Sequence, residues 1–377
     1  MTELEADPHP LLHRLRESEP VSWLPALDGW LVTRRDLALA VMRDADAFTV
    51  DDPRFSTARV IGPSMLSLDG GEHGRHRDPF ARPFRLDATR ERFTDVVAEE
   101  TARLLDGLAP AGRGELRRGL AGPLAATTTI HALGLDEADP AEALGWYEAI
   151  VASVTAISAG EPATADGGRG FADLRAAIER SLEDPGQRSL LAAAAGGTGG
   201  LSRDEVVSNA AVLLFGGIET TEAMIVNVLL HLLDRPDQLA LVRREPTLLE
   251  GAVEESLRLE PAAARVDRYA TRDLRLADAA IGAGELVIVS IAGANRDPAV
   301  FADPDRFDLR RENARLHVAF AAGPHTCIAM HLARLEAHAA VRMVLERLPG
   351  LRLDADRTVT PRGLVFRKPG TLHAVWS

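Results

Sequence analysis

Between Gly200 and Pro236 lies the segment that most limits what this chain can fold into. Ser202 with Glu205 three residues on forms a capping box, a helix start signal, and no breaker follows until Pro236. The spacing predicts a helix from there to about Asp234, some ~32 residues and roughly 48 Å at 1.5 Å per residue. A rod that long and that apolar crosses a whole domain and must be packed on most sides. Its middle, however, reads Leu213-Leu-Phe-Gly-Gly-Ile-Glu-Thr-Thr221. Each interior glycine costs about 1 kcal/mol relative to alanine, and a carboxylate in an apolar run costs more unless it is partnered. One account is close helix packing at Gly216 and Gly217 with Glu219 at the surface. The other is a helix wall thinned to admit a flat or diatomic ligand, with Glu219 and Thr220 relaying protons to it.

The 377 residues are 46% hydrophobic and 26% charged, the composition of a globular protein rather than a disordered one. A net charge of -13 leaves no global basic field for a nucleic acid, so none is expected as a partner. The first residues have neither a basic n-region nor an apolar h-region, and charged residues or glycine break the apolar runs before about 18 residues. A cytoplasmic protein with no membrane association is the expectation. Lys368 is the only lysine among 43 basic residues, a bias that reads as GC-rich coding. Cys327 is the only cysteine, which excludes an intrachain disulfide and any metal site built on two or four cysteines.

Elsewhere the pattern is mixed. Short strands fit Val21 to Leu24 and Gly29 to Thr33, a helix fits Asp36 to Met42, and Asp51 to Leu68 reads as a long adaptable loop. From Glu72 to about Glu183 helix dominates, punctuated at Ala109 to Gly114, Gly160 to Gly170 and Pro185. The Gly160 to Gly170 cluster reads as a flexible surface linker or a lid hinge. A further helix fits Thr247 to Leu259, and from Arg265 short strands precede a last helix from about Ile328 to Arg347. No repeat or linker divides the chain. The expected fold is mainly α with a small β portion, in one domain over 1–377.

Cys327 sits where a loop with Gly323 and Pro324 feeds the last helix, so helix dipole and loop N–H groups would favour a thiolate there. A lone cysteine is more often a small buried hydrophobe. Zinc held by Cys327 with His317, His325 and His331 lacks the usual spacing and a second sulfur.

Three motifs now combine. Phe320, Gly323, His325 and Cys327 occupy the pattern Phe-Gly-x-Gly-x-His/Arg-x-Cys-x-Gly. Gly216, Gly217, Glu219 and Thr220 fill Ala/Gly-Gly-x-Asp/Glu-Thr, and Glu255 with Arg258 forms Glu-x-x-Arg. In this order the sequence resembles a cytochrome P-450, a haem-thiolate monooxygenase of the soluble bacterial type. It departs from the family at Ala321 and Ala329, where glycine is usual.

The resemblance implies haem b lying between the long helix and the cysteine loop, with Cys327 on the iron. It implies that His73, Arg77, Arg268 and His325 bond the haem propionates. Glu255 and Arg258 would form a buried network with an arginine of the segment from Asp303 to Asp308, taken as Arg306, that holds the cysteine loop. The substrate pocket would be lined by Leu66, Val212, Phe215, Ala264, Val266 and Val365. The implied reaction inserts one atom of dioxygen into a hydrophobic small molecule, a specialised-metabolite intermediate. Electrons would come from a ferredoxin and its reductase using NAD(P)H. Arg75 is expected to point outward to that ferredoxin, beside Arg82, Arg85 and Arg334. Oxidative coupling, nitration or peroxide-driven oxidation on the same scaffold, and a haem sensor or docking module without turnover, remain the alternatives.

Overall fold

A computed structural model of the chain describes residues 2–135, 137–183, 190–196 and 200–377. The expected break at Pro185 lies outside these residues. Nine helices position the site: α1 (Arg35–Arg43), α2 (Gly70–Ala81), α3 (Leu86–Leu108), α4 (Gly122–Leu133), α5 (Pro140–Ser158), α6 (Ala165–Glu183), α7 (Arg203–Leu233), α8 (Leu249–Leu259) and α9 (Met330–Arg347).

The long helix forms as the sequence demands. Ser202 Oγ accepts from the Glu205 N–H and a Glu205 carboxylate oxygen accepts from the Ser202 N–H, closing the capping box at the start of α7. By length and composition α7 could cross a membrane, but 78% of its apolar window is buried inside the protein. It is the centre of the core: α4 and α9 pack on it, α9 also packs on α3, and Leu214, Ile218, Ile225 and Leu229 are fully buried among Leu124, Leu133 and Val341.

A five-stranded sheet closes one side, in the order β1 (Val21–Leu24), β2 (Gly29–Val32), β5 (Leu286–Ser290), β4 (Arg265–Ala270) and β3 (Phe48–Thr49). Only β2 and β5 run parallel. Strand alternation splits β4 between two faces. Val266 packs with Val287 and Val289 against α1, whereas Asp267 pairs across from Ile288, which packs with Leu12 and Ala264 on the other side.

The described residues match the expected mix of many helices and little sheet, with three local differences. The segment 51–68 is mostly loop but contains a helical turn, Ala58–Ile61. A wide π turn, Arg117–Ala121, leads into α4 with no residue pattern to announce it. The third difference is the Gly160 to Gly170 cluster, whose second half is the start of α6 rather than a hinge or linker. These glycines are there for contact. A Cβ on Gly167 would stand 2.4 Å from Ser153 Cβ, and one on Gly170 2.9 Å from Ala149 Cβ, so their absence lets α6 lie close on α5. Gly168 faces open space.

The two kinds of glycine predict opposite outcomes. Gly167→Ala should lower stability by about 1–3 kcal/mol through overpacking, while Gly168→Ala should raise it by up to about 1 kcal/mol through helix propensity. Urea unfolding midpoints of both variants check this, and equal shifts would restore the hinge reading.

Candidate active site

The cysteine loop is built by short backbone bonds. Cys327 N–H donates to Phe320 O at 2.9 Å, Thr326 N–H to Gly323 O at 3.1 Å and Ala321 N–H to Val318 O at 2.9 Å. Gly323 has φ 74°, and a Cβ there would stand 2.3 Å from Met42 O, so the loop can approach α1 only with glycine at this point. Ala321 also has positive φ, 58°, without being glycine. Burial pushes the Cys327 thiol up, while the Ala329 N–H and the charges of Arg77 and Arg334 pull the other way.

The anchor of this loop is the pair Glu255 and Arg258, both fully buried. Arg258 donates through Nε and Nη2 to the two Glu255 oxygens at 2.8 Å each, and through its remaining N–H groups to Asn295 O, Pro304 O and Arg306 O. All five of its donors are thereby satisfied. The expected third member, Arg306, contributes only this carbonyl and its side chain is exposed. The arginine on Glu255 is Arg311, at 2.9 Å through Nε, because the turn after Asp308 carries the chain back over α8. Asn295 passes the constraint on, its Oδ1 accepting from Val318 N–H at 2.7 Å. On the other side Glu254 accepts from Arg334 and hydrogen-bonds His317, and Arg334 stacks at 4.5 Å on the Phe320 ring.

Cys327, Phe320, His325 and Ala329 border one large cavity together with Arg77, Gly216, Gly217, Thr220 and Arg268. The centre of a water molecule can range over about 310 Å³ of it. A Cβ on Gly216 would meet nothing within 4 Å, so this glycine thins the wall of α7. Gly217 is instead required by contact, since a Cβ there would stand 2.6 Å from Thr129 Oγ1. Thr220 Oγ1 donates to Gly216 O at 2.6 Å.

The expected relay acid takes another place. Glu219 does not border the cavity; it is buried beside the cavity-lining stripe of α7, accepting from Tyr147 OH and, at 2.8 Å, from Lys368 Nζ. Lys368 also donates to Glu222, which Arg117 of the π turn approaches at 3.1 Å. Burial and the two carboxylates push the Tyr147 hydroxyl well up.

His73 is buried with its Nε2 unpartnered among the described residues, and burial, His325 and Arg77 lower its pKa to about 4, leaving a neutral ring able to donate. Arg268, 4% exposed, gives one N–H to Asp267 O and keeps the others for the cavity. Two other expected propionate ligands already have protein partners: Arg77 donates to Thr326 O at 2.6 Å, and His325 Nε2 hydrogen-bonds Asp69 at 2.7 Å. Burial raises the Asp69 carboxyl, but bonds from His325, Thr49 and Val50 outweigh it and hold the group well below the usual carboxylate range. An orphaned buried donor, a cationic rim and one sulfur at the cavity wall fit a dianionic, iron-bearing macrocycle.

Of the expected pocket residues, Leu66, Val212, Phe215, Val266 and Val365 line the cavity. Ala264 does not; it packs with Leu12 and Ile288, and Ala263 borders the cavity in its place. Three ionisable residues in the wall are not marked by any motif in the sequence: Arg265, Asp267 and Glu336. Lys368 is unmarked too, although it is visible as the only lysine.

A loop thiol facing a glycine-thinned helix across a cavity rimmed by arginine and histidine defines a haem-thiolate site. The comparisons agree. A family model described as Cytochrome P450 matches residues 175–369. The cytochrome P450 monooxygenase PikC of Streptomyces venezuelae is 36% identical, over 96% of this chain and 88% of its own length. The 6-deoxyerythronolide B hydroxylase of Saccharopolyspora erythraea is 33% identical, over 94% and 92%. The crystal structure of CalO2 superposes with a TM-score of 0.90 at 31% identity, covering 98% of this chain and 96% of that one. The chain belongs to the cytochrome P450 family. It is a monooxygenase with haem b as cofactor, and like its family it works with a redox partner, dioxygen and a hydrophobic substrate.

Two predictions follow from the site's supports. Arg311→Ala should cost about 3 kcal/mol and release haem at a lower urea concentration, because Glu255 loses a buried partner, whereas Arg306→Ala should stay within about 0.5 kcal/mol. Matching losses in haem-release titrations would return Arg306 to the network.

Glu336 on α9 is fully buried, with Thr128 as partner and one oxygen unpaired, and burial raises its pKa well above the usual value. A raised folded pKa means that the fold favours the protonated acid over the charged one. Its stabilisation is therefore present below the ordinary carboxylate pKa and is lost as pH climbs towards the folded one, by up to about 1.4 kcal/mol per pH unit. Glu336→Gln should remove that slope in melting curves taken from pH 5 to pH 8. A slope unchanged by the substitution would mean that Glu336 is charged in the fold.

Proposed function

We propose that this monooxygenase oxidises an intermediate of specialised metabolism in the cytoplasm, takes electrons from a small ferredoxin and its NAD(P)H-dependent reductase, and works as one haem domain over 1–377. The observation that carries this reading is a single, largely apolar cavity bordered by Cys327 on its loop and Thr220 on α7. One relative is named as a hydroxylase of 6-deoxyerythronolide B, which supports an organic substrate of that general kind.

When bound, haem supplies the iron at which dioxygen is reductively split and one oxygen atom is passed to the substrate, thiolate donation favouring O–O cleavage. The chain supplies enclosure and protons. Leu66, Val212, Phe215 and Phe366 exclude water from the reacting carbon. Thr220 Oγ is the hydroxyl placed to hand a proton into the cavity once it releases Gly216 O. Glu219, one residue earlier on α7, can reload Thr220 only after its carboxylate leaves Lys368 and Tyr147.

Arg75 is not the outward docking residue. Glu72 and Glu205 absorb its charge, and Glu254 absorbs that of Arg334. Exposed cations of the segments packed on α9 include Arg82, Arg85 and Arg90, and α9 itself adds Arg342. An acidic ferredoxin meets this local field within a Debye length of about 8 Å despite the net charge of -13.

In the haem-loaded enzyme, Thr220→Ala should keep the red-shifted band of the reduced carbon monoxide complex while product per NAD(P)H falls at least about tenfold and peroxide rises. Coupling left unchanged in both Thr220→Ala and Glu219→Gln would refute the proton path.

A further inference from the structure

Arg265 and Asp267 lie two residues apart on β4, share one face of the strand, and both border the cavity. Arg265 is 7% exposed. Its one carboxylate contact among the described residues is a stretched one, Nη2 to Asp267 Oδ2 at 3.4 Å. Its Nε and Nη1, and Asp267 Oδ1, are buried with no hydrogen-bond partner among the described residues. Leaving such groups unpaired is costly, the more so when they are charged.

Neighbouring charges do not complete the pair. Further along the same strand face, Tyr269 stacks under Arg54, and Arg54 is held by Asp52. The haem-facing donor Arg268 alternates with this face, so Arg265 and Asp267 are not members of the propionate set. The loop residues Phe55, Ser56 and Thr57 border the same cavity, which gives a ligand reaching the pair an apolar and hydroxyl-bearing wall.

We propose that Arg265 and Asp267 anchor the polar end of the substrate, and that this end is a neutral group able both to accept and to donate, a hydroxyl or a carboxamide. The inference rests on the cavity being the substrate pocket, as read above. Neutrality follows from the pair itself. An anion attracted by Arg265 is repelled by Asp267, and a cation meets the reverse, whereas a hydroxyl or amide can accept from the guanidinium and donate to the free Asp267 oxygen. The rest of the substrate is apolar, like the wall.

The test uses haem-loaded enzyme and equilibrium dialysis with three probes of one length: decanol, nonyl methyl ether, which cannot donate, and decanoate. Wild type should bind decanol about tenfold more tightly than either of the others. Asp267→Asn should weaken decanol and strengthen decanoate, a change of sign that a misfolded variant cannot produce. Arg265→Gln should weaken decanoate most, since the anion loses a cation, and decanol and the ether, which lose only a charged donor, less. Wild type preferring decanoate, or Asp267→Asn leaving the order of the three unchanged, would overturn the anchor while ether binding still reports an apolar pocket. Loss of all three probes from wild type would overturn that pocket and the anchor with it.

Discussion

The Glu255 carboxylate is the point on which the cysteine loop depends. A fully buried acid is costly unless every lone pair is used, and here Arg258, Arg311 and the Asp308 N–H use them. The bonds have direction as well as strength. Arg258 is a planar fork fixed on α8, so the three carbonyls it binds, from Asn295, Pro304 and Arg306, are drawn to one place. Asn295 then fixes Val318, two residues before Phe320 and nine before Cys327. Sulfur placement is thus settled by an ion pair that never touches the cavity.

The same separation governs α7. Its two buried acids, Glu219 and Glu222, are neutralised outside the cavity by Lys368 and by Arg117, which the π turn Arg117–Ala121 brings within reach. The helix therefore offers the cavity a bare backbone at Gly216 and the hydroxyl-bearing Thr220 and Thr221, and no charge. Lys368 comes from a strand near the C-terminus and Tyr147 from α5, so proton supply on α7 is tied to elements distant in sequence.

What could be read from sequence was local. The capping box, the length of α7, the glycine loop before Cys327 and the helix after it are all encoded within a few residues of where they act. What could not be read depends on which side of a helix or strand faces what. Glu219 belongs to the same motif as Thr220 but lies about 100° round the helix from it, and the partners that hold it are 72 and 149 residues distant. Arg311 replaces Arg306 because a turn redirects the chain, and Ala264 packs with Leu12 and Ile288 while Ala263, bridged to Phe366, takes its place at the cavity. Gly167 was misread because a glycine needed for close helix contact has the same letter as one needed for flexibility. Arg75 was misread because the Glu205 that neutralises it was assigned only to the capping box.

Ala321 shows how such a loop can depart from the glycine that the resemblance leads one to expect. Left-handed backbone costs a residue with a Cβ about 1–2 kcal/mol. Against this, alanine loses about 0.5–1 kcal/mol less chain freedom than glycine on ordering, and its methyl packs against the cluster of Met42 and Val318, worth about 0.8 kcal/mol. The sum is close to zero, so alanine is tolerated at φ 58°. Two residues later the same accounting fails. At Gly323 a methyl would meet the Met42 carbonyl oxygen at 2.3 Å, a backbone atom that cannot rotate away. Contact with α1, rather than the positive φ that both positions share, is what makes one glycine of the cysteine loop replaceable and the other not.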